Sequence, residues 1–211
     1  RGGLMKPLKS GIYQVNDKSG EGDHGTQTIS GSRPVYKVGI KNGLSIGSFD
    51  EKFLNLPNTL RNLLTQSFTI FAPIYSLDES SVRCIIGSRY WAPQGFMFGR
   101  HSDNRKMFTW GNVLYKYSDT VVLKEVWHSP SVKFDSPNSV FVHYLNGNAN
   151  GENGVTTDYV IGTSYTLGLG IATNYGIAKQ YYSEVIIYSP AISDEKRLLV
   201  ESYLNSKWAI Y

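Results

Sequence analysis

An all-β sandwich or barrel is what this sequence predicts, and three observations carry the prediction. Short apolar runs rich in β-branched and aromatic residues recur along the chain, turn-forming residues separate them, and only one strong helical pattern exists, at the C-terminus. The 211 residues are 41% apolar and only 18% charged, a globular composition that argues against a coiled coil or a disordered tail. There is enough apolar material for one sizeable core, and two full domains would each be small. We therefore expect a single domain over residues 1–211, with no internal repeat or linker.

The expected strands, in order, are Ser67 to Ile74, Ser81 to Ser88, Gly95 to Arg100, Lys106 to Trp110 and Val113 to Tyr117. Further on come Ser139 to Leu145, Tyr159 to Gly162, Tyr165 to Ile171 and Tyr181 to Tyr188. In Ser139 to Leu145 both alternating faces are apolar, as in a central strand covered on both sides. Three Asn-Gly dipeptides, at 42–43, 146–147 and 153–154, favour positive φ and are expected to be tight turns. Asn146 to Gly154 is so polar and glycine-rich that it reads as a solvated loop. A helical turn is expected over Asn58 to Leu64, after Pro57.

The C-terminal helix starts at the cap Ser193, with Asp194 and Glu195 in its first turn and Lys207 in its last, where the macrodipole favours each charge. Val200, Leu204 and Trp208, with Leu199 and Tyr203 beside them, form the expected packing stripe; Arg197, Glu201 and Asn205 fall on the opposite face.

Composition also excludes functions. The formal charge of +4 is scattered, with no cationic run longer than two residues, so the footprint that binds nucleic acid is missing. Apolar runs fall far short of the roughly 20 residues that span a bilayer, so no membrane insertion is expected. The lone Cys84 sits in an apolar run and reads as a small core residue. The chain opens on Arg1, as a mature fragment or an excised domain would.

Two segments carry a resemblance. Asn16 to Gly22, Thr26-Gln27, Arg33 to Tyr36, Asn42-Gly43 and Phe49-Asp50 resemble the opening of laminin-G-like, concanavalin A-like lectin/glucanase jelly-roll domains. Glu184 to Ser189, Ala191 to Glu195 and Val200 to Trp208 are similar to the closing strand and helix of the same domains. Such modules occur in phage tail and other virion proteins and in bacterial surface proteins. The resemblance implies a two-sheet antiparallel β-sandwich of jelly-roll type with a short C-terminal α-helix, at an extracellular or virion-surface location. The segment ahead of residue 12 is short, so an initial strand is expected to be missing or supplied from upstream.

The glucanases of that architecture use a Glu-x-Asp-x-x-Glu strand, whose period of two sets nucleophile and acid on one face. The nearest approach here, Glu21-Gly22-Asp23-His24-Gly25-Thr26, lacks the last carboxylate and lies in a turn. No nucleophile elbow, zinc-binding helix, phosphate loop or dinucleotide fingerprint occurs, and the four histidines are widely separated. His143 reads as a satisfied sheet residue.

Sugar rings offer apolar C–H faces and hydroxyl rims, so a lectin-like site needs exposed aromatics beside amides and charges. Tyr90, Trp91, Arg100, Asp103, Asn104 and Trp127 are the candidate ligand-binding residues, all placed near turn signals. Trp127 also reads as a core aromatic. No cofactor is required. Ca2+ is the one that the resemblance admits, with Asp103-Asn104 or Asn146 to Gly154 as oxygen donors, although a solvated turn explains both stretches equally.

The expected function is a non-catalytic module that binds a glycan or host-surface receptor, as part of a virion (tail fibre or decoration) or surface protein. The alternative is a structural assembly domain contacting other subunits or forming a homo-oligomer; glycoside hydrolysis comes third.

Overall fold

A computed structural model describes residues 5–8, 11–78, 82–88, 94–102, 106–111, 114–154, 161–162, 166–172 and 177–211. The strands begin with Met5–Leu8 (β1), Gly11–Val15 (β2), Gly25–Thr26 (β3), Val35–Lys41 (β4), Leu44–Asp50 (β5) and Leu54–Asn55 (β6). After the helix Asn58–Leu63 (α1) come Phe68–Phe71 (β7), Ile74–Ser76 (β8), Arg83–Gly87 (β9), Phe96–Arg100 (β10), Lys106–Gly111 (β11) and Leu114–Val121 (β12). Then follow Trp127–His128 (β13), Pro130–Asp135 (β14), Val140–Leu145 (β15), Asn148–Gly154 (β16) and Gly168–Leu169 (β17). Lys179–Tyr182 (β18), Ile186–Tyr188 (β19) and the helix Asp194–Trp208 (α2) close the chain.

One layer is a nine-stranded sheet in the order β1-β2-β3-β6-β17-β9-β10-β11-β12. The other joins two five-stranded sheets, β16-β15-β14-β7-β19 and β13-β8-β18-β5-β4. They are halves of one surface, because β7 runs on into β8, β13 into β14 and β18 into β19, and bonds such as Ala72 N–H to the Pro130 carbonyl bridge the breaks. Described pairings are antiparallel throughout, as short connections allow.

Period two explains the core. Phe68, Ile70, Val132, Phe134 and Phe141 point inward from the second layer and meet Ile85, Ile86, Phe96 and Phe98 of the first. The Phe68 ring lies edge-on to Phe96 at 5.7 Å and tilted against Phe134 at 5.5 Å, so aromatic contacts bridge the layers. Cys84 is buried as expected. The strand over Ser139 to Leu145 is realised as β15, central between β14 and β16, with Phe141 and His143 buried inward and Tyr144 buried outward.

Asn42-Gly43 and Asn146-Gly147 take positive φ at both residues and close the β4–β5 and β15–β16 hairpins. The third dipeptide is no turn: Asn153 lies opposite Phe141 and Gly154 opposite Val140. Nor is Asn146 to Gly154 a solvated loop; beyond its first two residues it is the edge strand β16. An edge strand needs a paired backbone more than apolar side chains, and Gly151 at φ +106° fits where the β15–β16 register slips. Asn150 is buried there, and its carboxamide oxygen accepts from the Thr120 N–H at 3.1 Å and hydroxyl at 2.9 Å.

An initial strand is present too, with Met5 opposite Val15 in β1–β2. The chain also holds strands the residue pattern did not single out, β4, β5 and β14 among them. The expected strand at Tyr159 to Gly162 falls mostly outside the described residues, and among the described residues of Tyr165 to Ile171 only β17 is strand.

Helix α2 begins where expected, with the Ser193 hydroxyl accepting from the Lys196 N–H, and it ends at Ala209 in left-handed conformation. The expected stripe of Val200, Leu204 and Trp208 does pack inward, but its flank differs from the expected one. Arg197, Glu201, Leu204 and Trp208 are buried, whereas Leu199 is 66% and Tyr203 45% exposed. The strands beneath supply polar partners: Ser131 donates to Glu201, which pairs with Arg197, and Arg197 lies 3.9 Å over the Tyr144 ring. A paired, hydrogen-bonded charge can be buried where a lone one cannot.

Candidate functional site

Four of the six expected ligand residues, Tyr90, Trp91, Asp103 and Asn104, lie outside the described residues. Arg100 is inside β10 and fully buried, so its guanidinium is not offered to solvent as the turn-based reading expected. It donates to the Asp78 carbonyl at 2.6 Å and faces the Asp78 carboxylate at 3.5 Å. Its cross-strand neighbour Arg83 grips that same carboxylate in a fork, with 2.8 Å from Nε to Oδ1. The pair of arginines pins the loop carboxylate to the strand ends.

Trp127 is half-buried, and around it the fold assembles a row that sequence order conceals. Trp127 in β13 stands directly opposite Tyr75 in β8, and Tyr75 directly opposite Tyr181 in β18. Their ring centroids are 5.7 and 5.4 Å apart, the two tyrosines nearly parallel at 11°. Registered rings on neighbouring strands of a twisted sheet meet in this way. The Lys37 ammonium lies 4.6 Å from the Tyr181 ring centre and donates to its hydroxyl at 2.9 Å, and the Lys41 ammonium lies 5.9 Å from the Trp127 ring centre. All three rings are partly exposed, and Trp127 and Tyr181 are braced from beneath by the apolar cluster under α2. The result is an apolar, π-rich strip with two ammonium donors on a rigid sheet.

A second concave feature lies where the second layer splits. β5 pairs with β18 but not with β19, and two adjoining cavities of about 330 and 740 Å³ open beside β19. Both are bounded by the Val15 to Ser19 segment. The smaller is floored by leucines, including Leu54, Leu56 and Leu60; the larger reaches Tyr36, Lys207 and Trp208. Glu184 anchors that end, accepting from Lys207 at 2.6 Å and the Trp208 indole at 3.1 Å.

Four other reactive groups, His143, Cys84, Asp17 and Asp23, are engaged within the fold. His143 is buried between the layers, its Nε2 2.8 Å from the Thr109 hydroxyl, and burial lowers its pKa to about 4, so it is neutral at pH 7. Burial also pushes the Cys84 thiol up, away from the reactive thiolate. Asp17 holds its own turn: although burial opposes it, bonds from Ser19, Gly22 and Asp23 keep its carboxyl below the usual range. In the Glu21 to Thr26 stretch, Asp23 accepts from Thr59. Among the described residues no three His, Cys, Asp or Glu side chains converge as a metal site. Of the calcium donors that the resemblance admits, Asp103-Asn104 lies outside the described residues, and Asn146 to Gly154 ends in a strand whose Asn150 oxygen accepts from Thr120.

No family model matches this chain, and no curated protein does. Solved structures do. Domain 4 of AbnA, a GH43 extracellular arabinanase from Geobacillus stearothermophilus, solved with arabinotriose, matches with TM-score 0.62 and 13% identity over 81% of this chain and 82% of that one. The binding domain of botulinum neurotoxin DC, solved in complex with SialylT, matches with TM-score 0.56 and 12% identity over 93% of this chain and 52% of that one. The NanB sialidase from Streptococcus pneumoniae matches with TM-score 0.56 and 14% identity over 72% of this chain but only 26% of the sialidase. At such identities the likeness speaks for the fold, a two-layer antiparallel β-sandwich of jelly-roll type, and not for a site.

Proposed function

We propose that this domain is a non-catalytic glycan-recognition module that binds across the Trp127, Tyr75 and Tyr181 row. The row carries the reading: three partly exposed rings in register, with Lys37 and Lys41 beside them. A pyranose or furanose lays its C–H face on the exposed part of a ring while its hydroxyls accept from the ammonium groups. A sheet presents that surface without an ordering cost on binding. Similarity to the arabinotriose-bound domain and to the neurotoxin binding domain supports the class of ligand. Stacking and hydrogen bonding to a ground-state sugar do not lower a reaction barrier, so binding without turnover is the proposed behaviour. The setting we favour is a virion or surface protein engaging a host glycan.

A glycan array identifies the ligand, and titration calorimetry of Trp127→Ala and Tyr75→Ala then tests the row. Each variant, shown folded by circular dichroism, should bind at least tenfold more weakly; unchanged affinity would move the site elsewhere. Sustained release of reducing ends from laminarin, abolished by one Asp or Glu change, would replace binding by hydrolysis. One observation favours the assembly alternative: Leu198, Leu199 and Tyr203 are exposed on α2. A self-associating domain in sedimentation experiments, with no array signal, would support it.

A further inference from the structure

The aromatic row is flanked by charge of one sign. Lys37 and Lys41 are four residues apart on β4 but stand opposite Ile46 and Leu44, two apart on β5, because the bulge around Gly39, at φ +66°, takes up the extra residues. Ile46 and Leu44 share one face of the sheet, so both lysines are delivered to that face. One ammonium reaches the Tyr181 end of the row and donates to its phenol; the other reaches the Trp127 end. Over Tyr75, the middle ring, no cation lies among the described residues, and its ring partners are Trp127 and Tyr181.

Elsewhere cations meet carboxylates: Lys133 pairs with Asp194, Lys179 with Glu51, Lys207 with Glu184 and Arg197 with Glu201. An anion arriving at any of these competes with a resident carboxylate. Among the described residues neither Lys37 nor Lys41 has a carboxylate partner; they hold π faces and one phenol. Two acidic residues lie nearest along the strands. Asp50 is four residues along β5 from Ile46, roughly 13 Å of extended chain. Glu125 is in the exposed turn ahead of β13, with Lys124 beside it as a compensating charge. An ammonium has three donors, and Lys37 uses one on Tyr181, so each lysine can still receive an anion. A sugar hydroxyl could accept there, but a carboxylate or sulfate oxygen makes the stronger, charge-assisted bond. We infer that the row selects acidic glycans, taking a segment with at least two anionic groups, one for Lys37 and one for Lys41, and a sugar face on Tyr75 between them. This rests on the row being the glycan site and adds the sign and the number of the ligand's charges.

The test begins with an array of neutral, uronate-bearing and sulfated oligosaccharides, on which the members bound should carry two or more anionic groups. Whether those are uronates or sulfates tells which anion the lysines take. Titration calorimetry on the whole domain then compares oligogalacturonate and carrageenan oligosaccharides with their methyl-esterified and desulfated forms, which keep the rings and lose the charge. The charged form should bind roughly tenfold more tightly than its uncharged counterpart, and the difference should shrink as salt rises. Lys37→Gln and Lys41→Gln should each weaken the charged form by a larger factor than the uncharged one, and Trp127→Ala should weaken both. Lys196→Gln, an exposed lysine on α2, should change neither. Binding of neutral members in preference, equal affinity for the two forms, or a loss with Lys196→Gln as large as with Lys37→Gln would each overturn the inference; if Trp127→Ala still weakens binding, the row remains a glycan site. A folded domain that binds no carbohydrate would overturn the inference together with the reading it rests on.

Discussion

The two faces of the second layer are built from the same strands and obey different rules. Its inner face is hydrocarbon: Phe134 and Phe141 are 4.6 Å apart, and both contact Phe68. Its outer face is amphipathic, with Ser131 and Tyr144 holding the Arg197–Glu201 pair under α2, and Trp127, Tyr75 and Tyr181 in their row. The inner face is stabilised by exclusion of water, which needs size and shape but no particular partner. The outer face works only if named groups meet. Loss of one partner there strands the other, so the outer face is the more specific and the inner face the more forgiving of conservative change.

Truncation measures the contrast. Phe134→Ala removes a ring that is 2% exposed and should cost about 4 kcal/mol, seen as a lower denaturation midpoint in urea. A loss below about 1 kcal/mol would mean that the inner face is not the main source of stability. On the outer face Glu201→Ala leaves Arg197 buried without its carboxylate and should cost about 3 kcal/mol. The double change Arg197→Met with Glu201→Leu should recover most of that, since it removes both charges. If the double variant is the worse of the two, the pair stabilises beyond mutual neutralisation.

Acid sharpens the comparison, because His143 is a polar group on the inner side. Its folded pKa of about 4 lies below the ordinary 6.5. Between those values the unfolded chain takes up a proton that the folded chain refuses. Stability is therefore full above pH 6.5, falls as pH drops toward 4 and is lost below it, by about 3 kcal/mol. The buried His128 is shifted down by burial too and adds a fall of the same sign. His143→Gln should flatten most of this pH dependence in thermal melts; an unchanged slope would assign it to other groups. The smallest stability effect belongs to Trp127→Ala, about 1 kcal/mol, because its ring is half in water. Its effect on glycan affinity should exceed its effect on melting, and the reverse result would make Trp127 a packing residue.

Local chemistry was legible where it is self-contained. Asn42-Gly43 and Asn146-Gly147 could be read as turns because positive φ is a property of the dipeptide, and α2 could be bounded because caps and first-turn charges act within a few residues. Asn153-Gly154 failed the same rule, because its backbone is held by β15, a partner that the dipeptide does not encode. On α2 the stripe of Val200, Leu204 and Trp208 was read correctly, while the residues flanking it were misassigned for a related reason. Hydropathy ranks Leu199 and Tyr203 above Arg197 and Glu201, but the surface beneath offers Ser131 and Tyr144, which receive a paired charge better than bare hydrocarbon would. Of the candidate site, Trp127 was found as an aromatic near a turn, while Tyr75 and Tyr181 were not, since only cross-strand pairing brings them to it. Arg100 showed its charge in the sequence but not its burial beside Asp78.

The sequence by itself determined the all-β class, the position and limits of the terminal helix and an inner face of alternating apolar residues, because these follow from periodicity and from forces within a few residues. Only the tertiary structure decided which strands became neighbours. From that followed the aromatic row, the charge pair under α2 and the open edge of β19. Each is made by groups distant along the chain, and their meeting is fixed by the burial of the whole core rather than by any local preference.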